Sequence, residues 1–202
     1  MARLEPRRPR GIDLVRRLTN FLGRRLYRDL PEPTLVLAHH RPLMLGFGTV
    51  ALAGDRFSHA VDERYKSLAM LRTAQLIGCE WCLDFGSRLA GDCGIPADSL
   101  RDLSVWRSSP RFDDLERLVL EYAEAMTRTP VEVSDDLFAA LRVHFDERQM
   151  VELTMSIAME NMYSRSNWAF GIEGQGYTEG MYCVRPEAAN TTATPGDPAA
   201  VA

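Results

Sequence analysis

Cys79-Glu80-Trp81-Cys82 is the stretch of this chain whose residue types and spacing say most about chemistry. Two cysteines with two residues between them can close a disulfide across one helical turn. They can also supply half of a zinc site. Asp62 to Ile77 reads as a helix ending on Gly78, and Leu83 to Ala90 reads as the body of another. The pair therefore falls in the first turn of the second helix. Unsatisfied N–H groups and the helix dipole favour negative charge there. A thiolate at Cys79 or Cys82 is thus favoured, its pKa lowered and its reactivity raised. That is the chemistry of a dithiol–disulfide couple. A zinc site needs a second ligand pair. Cys93 and Cys183 stand alone, His39 and His40 are adjacent, and His59 and His144 are isolated, so no metal is expected. The remaining bland reading is a pair of small buried hydrophobes.

Positioning such a pair takes helices, and the chain is written in helical periods. No β pattern of note is present, and the expected fold is all-α, a bundle of eight or nine helices. Ile12 to Arg28 is amphipathic: Ile12, Val15, Leu18, Leu22 and Leu26 share one face, and Arg16, Arg17, Arg24, Arg25 and Arg28 the other. Pro31-Glu32-Pro33 breaks the chain. Helices are expected from Thr34 to about His40 and from Pro42 to about Ala53. Asp62 to Ile77 is apolar most of the way round and should be a buried central helix. The helix carrying Cys82 should stop near Gly91 or Gly94, followed by a short one from Pro96 to Leu103. Asp113 with Glu116 forms a capping-box pattern. It opens a helix that reaches Thr127 and stops before Pro130. Ser134 caps Asp135 to His144, and Asp146 with Gln149 starts a last long helix ending at Gly171.

The 202 residues are 46% hydrophobic and 26% charged, enough for one sizeable core. The expected organisation is a basic arm over 1–30, a helical domain over 31–184 and a disordered Pro/Ala/Thr-rich tail over 185–202. A formal charge of −4 argues against general affinity for nucleic acid. The most apolar window, Thr34 to Ala53, is interrupted by His39, His40, Arg41 and Pro42 and is too broken to span a bilayer. With no signal-peptide pattern and four irregularly spaced cysteines, a reducing cytoplasm is the expected compartment. Met1 to Arg28 holds nine arginines against Glu5 and Asp13. It is expected to dock on the core or on a neighbouring subunit rather than on an anionic membrane.

Other polar residues bear on the site. Arg72 shares a helical face with Val61, Tyr65 and Leu68, so it must be paired. It is either a structural ion pair or a group that holds an anionic substrate or supports a thiolate. Glu160, Asn161, Arg165 and Asn167 crowd the last helix. Glu160 and Arg165, five residues apart, diverge on it and need partners elsewhere.

Several motifs resemble the carboxymuconolactone decarboxylase and AhpD-like family: Leu68-Ala69-Met70-Leu71-Arg72, Gly78-Cys79-Glu80-Trp81-Cys82, Asp84-Phe85, Ala90 and Gly94. Phe112 through Glu121, Val151-Glu152-Leu153 and Glu160 through Asn167 resemble its C-terminal half. The likeness runs roughly from Pro31 to Cys183. It implies an all-helical homo-oligomer and a thiol-dependent alkylhydroperoxidase. In that correspondence Cys82 is the attacking thiolate and Cys79 the resolving one. The AhpD pattern also has a His four residues after the second cysteine and a Glu twelve before the first, which form its proton relay. Here those positions are Gly86 and Ser67. Glu80, Asp84, Glu160 and His144 are the candidate substitutes.

The expected function is a CxxC thiol–disulfide oxidoreductase with slow alkyl hydroperoxide reductase activity. Its partners would be a small hydroperoxide or disulfide and a dithiol reductant protein, with no cofactor. The alternatives are a decarboxylase-like lyase acting on a small carboxylated lactone, and a non-enzymatic redox sensor or scaffold.

Overall fold

In the structure, a computed structural model, the described residues are 2–7, 21 and 31–178, less the side chains of Asp55 and Arg56. Apart from Phe21, the arm helix read over Ile12 to Arg28 lies outside them, as does the tail over 185–202. Among the described residues the helical periods become eight α-helices, one 3-10 turn and no strand. They are α1 (Glu32–Leu37), α2 (Arg41–Phe57), α3 (Glu63–Ile77), α4 (Glu80–Asp92), α5 (Ala97–Asp102), α6 (Asp114–Thr127), α7 (Asp135–Arg142) and α8 (Glu147–Phe170). The 3-10 turn, Leu103–Val105, prolongs α5. No helix of the described residues is long and apolar enough to cross a membrane.

The starts of these helices follow from side chains that satisfy the first N–H groups. Asp62 accepts from Arg64 N–H, and Ser134 from Leu137 N–H. Asp113 with Glu116 and Asp146 with Gln149 form complete capping boxes at α6 and α8. Differences from the sequence reading lie at weakly signalled ends. His40 Nδ1 accepts from Leu43 N–H and starts α2 at Arg41, and the helix runs on to Phe57 rather than stopping at Ala53. Helix α7 ends at Arg142, and His144 N–H closes the turn on Leu141 O.

Helix α3 is central, packed chiefly against α8, α6 and α4. It divides the core. Leu68, Leu71 and Ala74 face a cluster with Cys79, Cys82, Leu83, Leu103 and Trp106. Ala69 faces a second cluster with Val119, Tyr122, Leu141, Leu153 and Ile157. Helix α2 is the outlier: of its large apolar side chains Met44 is buried, whereas Leu43, Leu45, Val50, Leu52 and Phe57 are exposed.

Charged residues inside α3 are tied. Arg72 Nε and Nη2 reach Glu124 Oε1 at 2.8 and 2.6 Å, and Nη1 reaches Gln75. The same Glu124 carboxylate accepts from Trp106 Nε1 (2.8 Å) and Arg107 Nη2 (2.6 Å). Lys66 Nζ meets Glu152 at 2.8 Å, and that carboxylate also accepts Ala60 N–H at 2.7 Å. Burial pushes the Glu124 carboxyl pKa up, but the donors Arg107 and Trp106 and the Arg72 charge outweigh it and hold the group below its ordinary value. The sign of the linkage follows. A depressed folded pKa contributes stability above the unfolded value, and that stability is lost as pH falls through the folded value. Glu124→Gln should therefore cost roughly 3 kcal/mol or more at neutral pH, because it leaves buried arginine charge without its partner. Urea unfolding from pH 7 down to pH 3 should show a shallower acid loss in the variant than in the wild type.

Candidate functional site

Helix α3 ends where Gly78 adopts a left-handed conformation (φ 81°, ψ 28°), with its N–H on Ala74 O. Side chains with a Cβ are disfavoured there. The turn makes the next residue, Cys79, the N-cap of α4. Its Sγ accepts the backbone N–H of Cys82 at 3.2 Å, the place where serine or aspartate usually stands. Cys79 and Cys82 are joined as a disulfide, with their Cα atoms 5.3 Å apart. Both are buried, 1% and 5% exposed.

Three elements enclose the pair. From α8, Asn167 Nδ2 approaches Cys82 Sγ at 3.4 Å. One turn earlier the buried Ser164 hydroxyl donates to Glu160 Oε1 at 2.6 Å, so Glu160, Ser164 and Asn167 form a polar stripe on one face of α8. Beyond Gly171, residues 172–178 lie as a strap along α4. Asp84 holds them. Its Oδ2 accepts the N–H groups of Gln175 (2.8 Å) and Tyr177 (3.0 Å), and its Oδ1 accepts the Thr178 N–H (3.1 Å) and hydroxyl (2.8 Å). Burial raises the Asp84 pKa, but the donors from Tyr177, Thr178 and Gln175 outweigh it and leave the carboxyl more acidic than usual. Trp81 stacks on Phe85 at 4.9 Å and donates to Gln175 Oε1 at 2.9 Å. Ile172 joins the cluster that contains both cysteines.

An open groove of about 570 Å³ lies beside Gly78, lined by Leu76, Ile77, Thr127, Arg128, Arg165 and Trp168. Arg165 Nη2 donates to Thr127 O at 3.1 Å, and Trp168, 56% exposed, stands over Gly78.

The residues singled out by sequence separate here. Cys79 and Cys82 meet. Arg72 is taken up by Glu124 and Gln75, and Asp84 by the strap. Glu80 is exposed in the first turn of α4. Glu160 is buried on the face of α8 that reaches Cys82 through Asn167. His144 is exposed just before α8, some 30 Å along the helix from Asn167 at about 1.5 Å per residue. Sequence reasoning noticed Asn167 without connecting it to sulfur. Its seven-residue spacing from Glu160 was the available signal, since i, i+4 and i+7 share a helical face.

Known proteins match this chain in sequence and in fold. The model of the carboxymuconolactone decarboxylase family matches residues 45–125. The uncharacterised protein YnjA of Escherichia coli (strain K12) is 40% identical over 60% of this chain and 67% of its own length. The chain belongs to the carboxymuconolactone decarboxylase family. Solved structures agree in fold. The alkylhydroperoxidase AhpD core of an uncharacterised peroxidase-related protein from Ralstonia eutropha JMP134 superposes with a TM-score of 0.70. It is 15% identical and covers 85% of this chain and 94% of its own. The debrominase Bmp8, solved as a cysteine-to-alanine variant with 2,3,4-tribromopyrrole, gives 0.73 at 20% identity over 90% and 97% of the two chains.

Within this carboxymuconolactone decarboxylase family member, both relay positions are differently used. A Cβ built at Gly86 would lie 3.0 Å from Leu71 Cδ2, so the core side chain fills the space a histidine would need. Ser67 lies beside the Cys93 thiol at the far end of α4. Gly86→His should therefore destabilise the protein by about 1–3 kcal/mol through overpacking. Combined with Leu71→Ala, itself a cavity mutation costing about 2–5 kcal/mol, the loss should be smaller than the sum. Chemical denaturation of the single and double variants measures this coupling.

Proposed function

We propose that this protein is a CxxC-dependent thiol–disulfide oxidoreductase with slow alkyl hydroperoxide reductase activity. The observation that carries this reading is the Cys79–Cys82 disulfide across the first turn of α4, with an N–H donor at each sulfur. In the reduced enzyme the Cys82 thiolate attacks the terminal oxygen of a hydroperoxide. The O–O bond breaks, the alkoxide takes up a proton and leaves as alcohol, and Cys82 becomes a sulfenic acid. Cys79 attacks that sulfur, the S–S bond forms and water leaves. A dithiol partner then returns two electrons by exchange through a mixed disulfide. No metal or organic cofactor enters. In this reading substrate enters by the groove of Leu76, Ile77 and Trp168 beside Gly78, the residue before Cys79. The slow rate follows from Gly86 and Ser67: positioned acid–base groups typically contribute roughly 10²–10⁴-fold. The compartment in this reading is the cytoplasm, where dithiol reductants are maintained.

The test uses cumene hydroperoxide with dihydrolipoamide as dithiol. Wild type should turn over slowly. Cys82→Ser should lose the activity. Cys79→Ser should stop after one turnover with a sulfenic acid that dimedone traps on Cys82. Activity retained in Cys82→Ser overturns the thiol mechanism and moves the reading toward the lyase or scaffold class.

The reading includes a homo-oligomer. On α2, Leu43, Val50 and Phe57 are exposed on one face at seven-residue spacing, and Leu45 and Leu52 on the opposite one, so the helix leaves apolar side chains open on two sides. Light scattering should give a multimer at micromolar concentration, and Leu45→Lys with Leu52→Lys should shift it toward monomer. A monomeric wild type would refute this part.

A further inference from the structure

The two sulfurs are served by different donors, and the difference bears on which one is the thiolate. Cys79 Sγ, at the N-cap, receives the backbone N–H of Cys82. A helix terminus on its own would make Cys79 the more acidic thiol, opposite to the attacking role given to Cys82. The donor facing Cys82 Sγ comes from the other end of the chain: Asn167 Nδ2 at 3.4 Å. Asn167 is 4% exposed, and its amide nitrogen has no other partner among the described residues. The next polar group on the stripe, Ser164 Oγ, is already committed to Glu160.

We infer that Asn167 is the positioning residue that makes Cys82, rather than Cys79, the reactive thiolate. This rests on the thiol reading above and names what tunes the same site. An uncharged amide suits the task, because it donates to a thiolate without titrating itself. The charged groups on the elements around Cys82 cannot replace it. Within about two turns of the site they are Arg72 on α3, Glu80, Asp84 and Arg88 on α4, Glu160 and Arg165 on α8, and Glu173 on the strap. Arg72 is paired with Glu124, Arg165 reaches Thr127 O, and Arg88, half-buried, lies six residues along α4 from Cys82, about 240° round the helix. The carboxylates would raise a neighbouring thiol's pKa, not lower it.

The experiment needs no peroxide, so its failure is separate from failure of the proposed activity. Fully reduced protein is pulsed with iodoacetamide from pH 5 to pH 10, and alkylation at Cys79 and at Cys82 is quantified by peptide mass spectrometry. The midpoint of each profile reports acidity and its plateau reports access. A merely structural role for Asn167 would move plateaus alone. In wild type the Cys82 midpoint should lie below that of Cys79. In Asn167→Leu, which removes the donor at similar size, the Cys82 midpoint should rise by about one unit or more. Its alkylation near pH 7 should then fall about tenfold, as expected for loss of a hydrogen bond to a charged group. The Cys79 midpoint should stay within a few tenths of a unit. Asn167→Asp, nearly the same shape with an acceptor in place of the donor, should raise the Cys82 midpoint at least as far, and it serves if the leucine variant does not fold. An unmoved Cys82 midpoint in a folded variant, or a wild type whose more acidic thiol is Cys79, overturns the inference.

Discussion

The left-handed turn at Gly78 is the constraint on which the site depends. It ends α3 on Ala74 O and hands the chain to α4 with Cys79 as cap. A residue with a Cβ would cost roughly 1–2 kcal/mol in that conformation. Moving the start of α4 by one residue would rotate its side chains by about 100° at 3.6 residues per turn. Cys82 would then leave Asn167, and Asp84 would leave the strap. The central position of α3, gripped by α4, α6 and α8, keeps the turn from relaxing.

Two kinds of buried polar contact bear on the site. Glu124, Glu152 and Asp84 are saturated: each carboxylate collects three or more donors and binds separate segments together. Such groups are costly to strip of partners and give a packed helical domain its register. Asn167 differs in kind. It spends an amide on a sulfur, a weak acceptor as a disulfide and a strong one as a thiolate. Its contact therefore changes in strength with oxidation state, whereas the carboxylate ties do not.

Much of the fold was legible because caps and breakers act locally. Asp113, Ser134, Asp146, Gly78 and Gly171 sit at helix ends where their chemistry requires them. The cysteine pair was legible for the same reason, since N-cap geometry and disulfide reach both lie within four residues. What joins distant segments was not. Arg72 announces that it needs a partner, but no local rule selects Glu124, fifty-two residues later. Asp84 looks like a possible base beside Cys82 until its four donors arrive from the strap. His144 and Cys82 are both on offer in the sequence, and only the length of α8 separates them.

Asn167 lies in the last turn of the 24-residue α8, and the strap follows that helix at the end of the helical domain. A ribosome makes the cysteine pair early and its cover late. Between the emergence of residue 82 and that of residue 178, α3 and α4 can form without the segments that bury their sulfurs. The nascent chain thus passes through an interval in which its thiols are open to oxidants and to mispairing with Cys93. Only completion of translation through Thr178 brings Asp84 its donors and closes the site.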